Sequence, residues 1–218
     1  MSVTSSPVWG PSLSAMAGRA RRSVEVRREE ILSTTVELLD RLGLASTRVA
    51  DVAKALDVSP GLVFYHFGTK DDLIAEAFAH AVERDLHRME RASAAGGDDP
   101  VERLRRVLRL YGPTGRATGW RIWIDAWAVA LRDPRLRKLL KRLDRQWQDI
   151  LRGVVDDGVA AEAFTCADPG ATVARLSALV DGLSVAAVVH RSVSRAQLRA
   201  WVAGQLAVEL GVDVATLD

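Results

Sequence analysis

The chain has 218 residues, 48% hydrophobic and 27% charged, with a formal net charge of +2. That length allows one long domain or two small ones, and the apolar content suffices for a buried core, so global disorder is excluded. The single Cys166 excludes an intrachain disulfide framework and fits a reducing cytoplasm, and no apolar run is expected to reach the length of a membrane span.

Residues 1–18 lack a basic stretch followed by an apolar one, so no secretory signal is expected. Residues 1–24 read as a disordered basic arm, with Met16 as a second candidate start. Arg19, Arg21, Arg22, Arg27 and Arg28 surround only Glu25, a pattern suited either to tracking phosphates or to solubility. The chain beyond reads as all-α with about nine helices, because no segment sustains apolar/polar alternation between turn residues. Helix 1 is expected from about Val26 to Leu42, with Ile31, Thr35, Leu38, Leu39 and Leu42 as its apolar stripe and Gly43 as its stop.

Thr47 is expected to cap a second helix, in which Val49, Val52, Ala53 and Leu56 face inward. Ser59 caps a third, with Pro60 at its first position, where the missing N–H costs nothing. Leu56-Asp57-Val58 is the tight turn between them. Asp57 takes the left-handed conformation, which Asp tolerates better than most residues. Two short helices so joined place the second in a major groove. Pro60, Gly61, Leu62, Phe64, Tyr65 and His66 then face outward, with Phe67 in the core. Thr69 caps a fourth helix, about 70–93, which stops at Ala94-Ala95-Gly96-Gly97; with Asp98-Asp99-Pro100 this marks a junction.

This stretch resembles the tetracycline-repressor (TetR) family of bacterial transcription regulators. The matching residues are Thr47 to Ala53, Val58-Ser59, Gly61, Phe64-Tyr65-His66-Phe67 and Lys70-Asp71-Asp72-Leu73. The resemblance implies a homodimeric, ligand-responsive repressor on a palindromic operator in double-stranded DNA. Residues 25–75 would form the DNA-binding domain (helix-turn-helix about 48–67), and 76–218 a helical ligand-binding and dimerisation domain. By position, Thr47 would bond a phosphate and Arg48 a guanine edge. Ser59, Pro60, Gly61 and Leu62 would lie against DNA, with Leu62 offering only apolar contact. Phe64 sits on the same face, Tyr65 and His66 would clamp the backbone, and Lys70 would pair with a phosphate. Asp57 stands where the family usually has glycine, and Phe64 where it often has tyrosine. Residues 1–76 hold nine Lys/Arg against ten Asp/Glu, so affinity must rest on a few placed contacts.

Five further helices are expected at about 99–111, 117–132, 134–157, 168–190 and 194–210. Trp120, Trp123, Ile124, Trp127 and Leu131 share one helical face. Such a stripe is either core or the wall of an aromatic cavity that holds a cation over indole faces. Trp120, Trp123, Trp127, Tyr111, Met89 and Trp147 are candidate lining for an unidentified small-molecule effector. Asp125, on the opposite face, is expected to pair with Arg121. The segment from Trp120 to about Phe164 is similar to the betaine-regulator-like branch of the family. The apolar 168–190 and 194–210 helices are expected at a four-helix dimer interface, where Asp181 either bonds across the two-fold axis or is satisfied locally.

No nucleophile–base–orienter set is present, so an enzyme is not expected, nor is a cofactor. Glu76, His80, Glu83 and His87 share a face of the fourth helix and offer a metal-responsive alternative. A helical interaction protein that binds no DNA is the other alternative.

Overall fold

The computed structural model describes residues 13–95, 99–110 and 119–217, with side chains from residue 23 onward. Among them run nine α-helices: α1 (Leu13–Leu42), α2 (Val49–Ala55), α3 (Pro60–Phe67), α4 (Lys70–Ala94), α5 (Pro100–Leu110), α6 (Gly119–Ala130), α7 (Pro134–Ala160), α8 (Pro169–Val185) and α9 (Arg195–Leu210). Local chemistry sets most of the boundaries. Ser59, Thr69, Asp133, Asp168 and Ser194 each accept a backbone N–H from the first turn of the helix that follows. These side chains satisfy donors that no intrahelical carbonyl can reach.

Several expectations are corrected. Residues 13–24 continue α1 rather than form a disordered arm. Good helix formers (Leu, Ala, Met, Arg) dominate that stretch, and the lone Gly18 does not break it. Residues 1–12 of the arm lie outside the described residues, as do Gly96, Gly97 and Asp98 of the expected junction. Leu42 is 40% exposed and leaves the α1 stripe. The α8 helix runs on through a π-helical turn, Ala186–His190. The resulting 22-residue segment, mean hydropathy 1.6, is long and apolar enough by length and composition to cross a membrane. Here it packs against α7 and α9, burying Thr172, Val173, Leu176, Ser177, Val180 and Ser184.

Two apolar cores organise the helices. The first runs from Ile31 to Leu143 and joins α1–α4 to α6 and the first half of α7. The second gathers Met89, Leu104, Val107, Leu151, Val154, Val155, Phe164 and the inner faces of α8 and α9. The α4 helix contributes to both. Phe78 on α4, fully buried, meets the Trp123 ring edge-on at 5.0 Å. Aromatic pairs of this kind add about 0.5–1.5 kcal/mol beyond the area they bury. The tryptophan helix therefore braces α1 and α4, and these two in turn pack against α2 and α3.

Candidate nucleic-acid interface and aromatic cavity

The turn between α2 and α3 has the predicted geometry. Asp57 sits at φ 53°, and its N–H donates to Lys54 O while that of Val58 donates to Ala53 O. Val63 and Phe67 are buried, whereas Phe64 is 46% and Tyr65 77% exposed. Pro60 and Gly61 are exposed, and Leu62 and His66 half-buried. The ring of His66 meets Tyr65 edge-on at 5.4 Å. The α3 helix thus presents an aromatic face to solvent that its own core does not use. Exposed Arg48 stands at the start of α2, where its backbone N–H donates to Asp51 Oδ2 at 3.2 Å. Lys70 Nζ donates to Ala45 O at 3.1 Å and fastens the start of α4 to the loop before α2. An ammonium carries three donors, so Lys70 retains two for a phosphate.

Thr47 is the exception on this surface. It is 1% exposed, and its hydroxyl donates to Gly43 O at 2.8 Å. Arg48, not Thr47, is the N-cap residue of α2. The single hydroxyl proton of Thr47 is engaged inside the domain rather than turned toward the surface where a phosphate would lie. Ser59 accepts from Leu62 N–H at 3.3 Å and keeps its own proton free.

In the C-terminal half, Trp120, Trp123, Trp127 and Trp147 line a cavity of about 410 Å3 together with Leu110, Leu140, Asp85, Asp144 and Asp181. The α6 helix buries Ile122, Ala126 and Ala130 in the core and turns its half-buried indoles toward the cavity. The rings of Trp120 and Trp127 lie 6.2 Å apart, those of Trp123 and Trp127 6.1 Å. Met89, an expected lining residue, is fully buried in the second core instead. It shares that core with residues of α5 and α7 and is not among the residues that line the cavity. Tyr111 lies outside the described residues.

Asp85 and Asp144 join the lining unannounced by the sequence, and Asp181, expected at the dimer interface, lines the same cavity. Asp144 stands three residues before Trp147 and so shares its helical face, a spacing that marks it in retrospect. Burial raises the carboxyl of Asp85, against the pull of Arg88 at 2.7 Å. Burial also raises that of Asp144, whose one hydrogen bond among the described residues comes from Gln148 Nε2 at 3.0 Å. Asp181 is pushed up to about 7, by burial first and by the neighbouring Asp144 second. It faces this cavity, not the outer side of α8.

Asp125 does not pair with Arg121. Its Oδ2 accepts the Leu44 N–H at 3.4 Å and lies against Gly43, where a Cβ would meet it at 2.7 Å. Gly43 also has φ +81°, a conformation that side chains disfavour. One turn of α6 thus carries indoles on the cavity side and a contact to the α1–α2 loop on the other. The helix-4 face proposed for metal is taken up by four different partners: Glu76 by Arg28, His80 by Glu29, Glu83 by Arg142 and His87 by Glu90. Among the described residues no three potential metal ligands converge.

Residues 31–77 match the family profile "Bacterial regulatory proteins, tetR family", and residues 100–211 match "BetI-type transcriptional repressor, C-terminal". The chain belongs to the TetR family of transcriptional regulators, with a BetI-type C-terminal domain. Among curated relatives, the HTH-type transcriptional regulator BetI of Stenotrophomonas maltophilia is 31% identical over 129 residues, covering 58% of this chain and 66% of that one. BetI of Paraburkholderia xenovorans is 29% identical over 161 residues, covering 73% and 80%. Among solved structures, a transcriptional regulator from Saccharomonospora viridis in complex with choline superposes with a TM-score of 0.78 at 26% identity, covering 85% of this chain and 98% of that one. A TetR-family regulator from Rhodococcus sp. gives 0.73, also at 26%, covering 84% and 98%. As a member of this family, the regulator is a dimeric, ligand-responsive DNA-binding repressor.

Proposed function

We propose that α3 enters the major groove, with Arg48 reading a base edge and Ser59, Pro60, Gly61, Leu62, Phe64, Tyr65, His66 and Lys70 making the surrounding contacts. Residues 25–75 form the DNA-reading unit and 76–218 the effector and dimer unit, in the cytoplasm. The α8 and α9 helices meet their symmetry mates, where Val189, Trp201 and Val208 are 54%, 50% and 80% exposed. In the dimer, two α3 helices sit about 34–36 Å apart on a palindromic operator. The observation that carries this reading is the solvent-facing aromatic surface of α3, beside Arg48 and Lys70, on a helix whose inner face is fully buried.

The effector is a small organic cation held in the tryptophan cavity, with Trp120, Trp123, Trp127 and Trp147 as its walls. Indole faces attract cations, and the acidic lining adds to that attraction. The structural relative in complex with choline supports the same reading. Two helices tie the cavity to the DNA face. The α4 helix carries Lys70 at one end and Asp85 in the cavity wall, about 22 Å apart at ~1.5 Å per residue. The α6 helix carries the indoles and Asp125, which holds the loop before α2. A ligand that binds better to the arrangement with the wrong α3 spacing lowers operator affinity by its differential affinity alone.

A gel shift on the intergenic DNA upstream of the regulator's own gene tests this. Arg48→Ala should relax one base position at a cost of about 1–3 kcal/mol. Lys70→Ala should weaken all sequences alike and lower the salt slope by about one. Undiminished binding by Arg48→Ala, Tyr65→Ala and Lys70→Ala together sinks the docking. Choline or an amine that binds the protein without altering the shift sinks the effector reading.

A further inference from the structure

Resting on the reading of the cavity as the effector site, two of its carboxylates narrow the ligand class. Asp85 already has Arg88 as counter-ion. Arg137 commits its Nε and Nη2 to the carbonyls of Ala130 and Leu131 at 3.0 and 2.9 Å, and Lys141 lies exposed at the rim. Asp144 has only Gln148, and Asp181 has neither an ion pair nor a hydrogen bond among the described residues. Two neighbouring carboxylates from different helices, α7 and α8, therefore face four indoles without a cation.

A quaternary ammonium satisfies indole faces, but it has no N–H to offer. Carboxylates withdrawn from water and left without donors cost free energy. A protonated primary amine brings three donors, enough to serve both oxygens-bearing groups at once. We propose that the cavity is built for a protonated primary or secondary amine with an apolar body, its N–H groups bridging Asp144 and Asp181 while Trp120, Trp123, Trp127 and Trp147 enclose the rest.

Binding is then coupled to a proton. In the empty cavity near neutral pH, the Asp181 carboxyl, raised to about 7 by burial and by Asp144, is partly protonated. The bound ammonium requires it ionised, so its proton leaves to solvent. Affinity falls by up to about tenfold per pH unit below 7 and levels off above it. The other charged groups lining the cavity are Asp85 from α4 and Arg137, Lys141 and Asp144 from α7; α5 and α6 line it with uncharged residues.

The test is calorimetry on the full chain with 2-phenylethylamine and with N,N,N-trimethyl-2-phenylethylammonium. The two share body and charge and differ in N–H donors. At pH 7.5 the primary amine should bind at least about tenfold more tightly, the scale of one charge-assisted hydrogen bond. At pH 6.5, in buffers of different ionisation enthalpy, its binding should release a proton. Asp144→Asn and Asp181→Asn should bring the two ligands to within about threefold while still binding the quaternary one. Equal or tighter binding of the quaternary compound by the wild type overturns the proposal and leaves the cation reading standing. A preference undiminished in both variants also overturns it. Binding of neither compound overturns both readings. If the variants do not fold, the wild-type affinity ratio and the proton release decide the matter.

Discussion

Gly158→Ala should destabilise the protein, although alanine is the better helix former. Gly158 lies buried in α7, and an added Cβ would meet Phe164 Cδ2 and Cε2 at 2.0 and 2.1 Å. Ordinary carbon contacts lie at about 3.5–4.0 Å, so the ring must retreat by roughly 1.5 Å. It has little freedom to do so. Phe164 is 3% exposed, its N–H donates to Gly158 O at 3.1 Å, and the next N–H, of Thr165, donates to Leu210 O at 2.8 Å. Overpacking of this kind costs about 1–3 kcal/mol, and expelling the ring approaches the 3–5 kcal/mol of a Phe→Ala change. The gain from replacing glycine in a helix is only about 0.5–1 kcal/mol. The net cost is about 1–4 kcal/mol, or roughly 2–15 °C in Tm for a chain of this size. Gly153→Ala on the same helix is the control. It is exposed with nothing within 4 Å, so it should stabilise by up to about 1 kcal/mol. Thermal unfolding by circular dichroism, at one protein concentration because dimerisation adds to stability, reads both. If Gly158→Ala melts at or above wild type while Gly153→Ala rises, the packing argument is refuted.

Thr47→Val should cost about 0.5–1.5 kcal/mol in urea unfolding. It should leave operator affinity and its salt slope unchanged, because the hydroxyl bonds Gly43 O and not DNA. Glu209 is drawn down to about 2, first by its hydrogen bond to Arg175, with further bonds from Thr172 and Gln205. A carboxyl with a lowered folded pKa stabilises above its ordinary value of 4.5 and loses that contribution as pH falls toward 2. Tm should therefore decline across that window, and Glu209→Gln should flatten this part of the decline; the effect is small, since Arg175 is more than half exposed and solvent screens the pair. Met89→Leu should cost under about 1.5 kcal/mol and leave the affinity for 2-phenylethylamine unchanged. Trp127→Leu should weaken that affinity at least several-fold in the same titration.

The all-α class, most helix boundaries and the tight turn are legible in the residues alone. These rest on local chemistry: a side chain that caps, a proline at a first turn, an aspartate that tolerates φ 53°. Adjacent aromatics at 64–66 required that some project, and the fold projects Phe64 and Tyr65. Which polar groups are already engaged depends on packing between helices. The Thr47 hydroxyl turns back to Gly43 O four residues earlier, and Asp125 accepts from Leu44, 81 residues away, instead of pairing on its own helix. Packing also decides the charge of the cavity. Asp85, Asp144 and Asp181 lie on three helices, and no spacing in the chain announces that they share one wall. Helical periodicity assigns residues to faces, but only packing says which faces meet, and a carboxylate is ordinary or a ligand-binding group according to what lies opposite it.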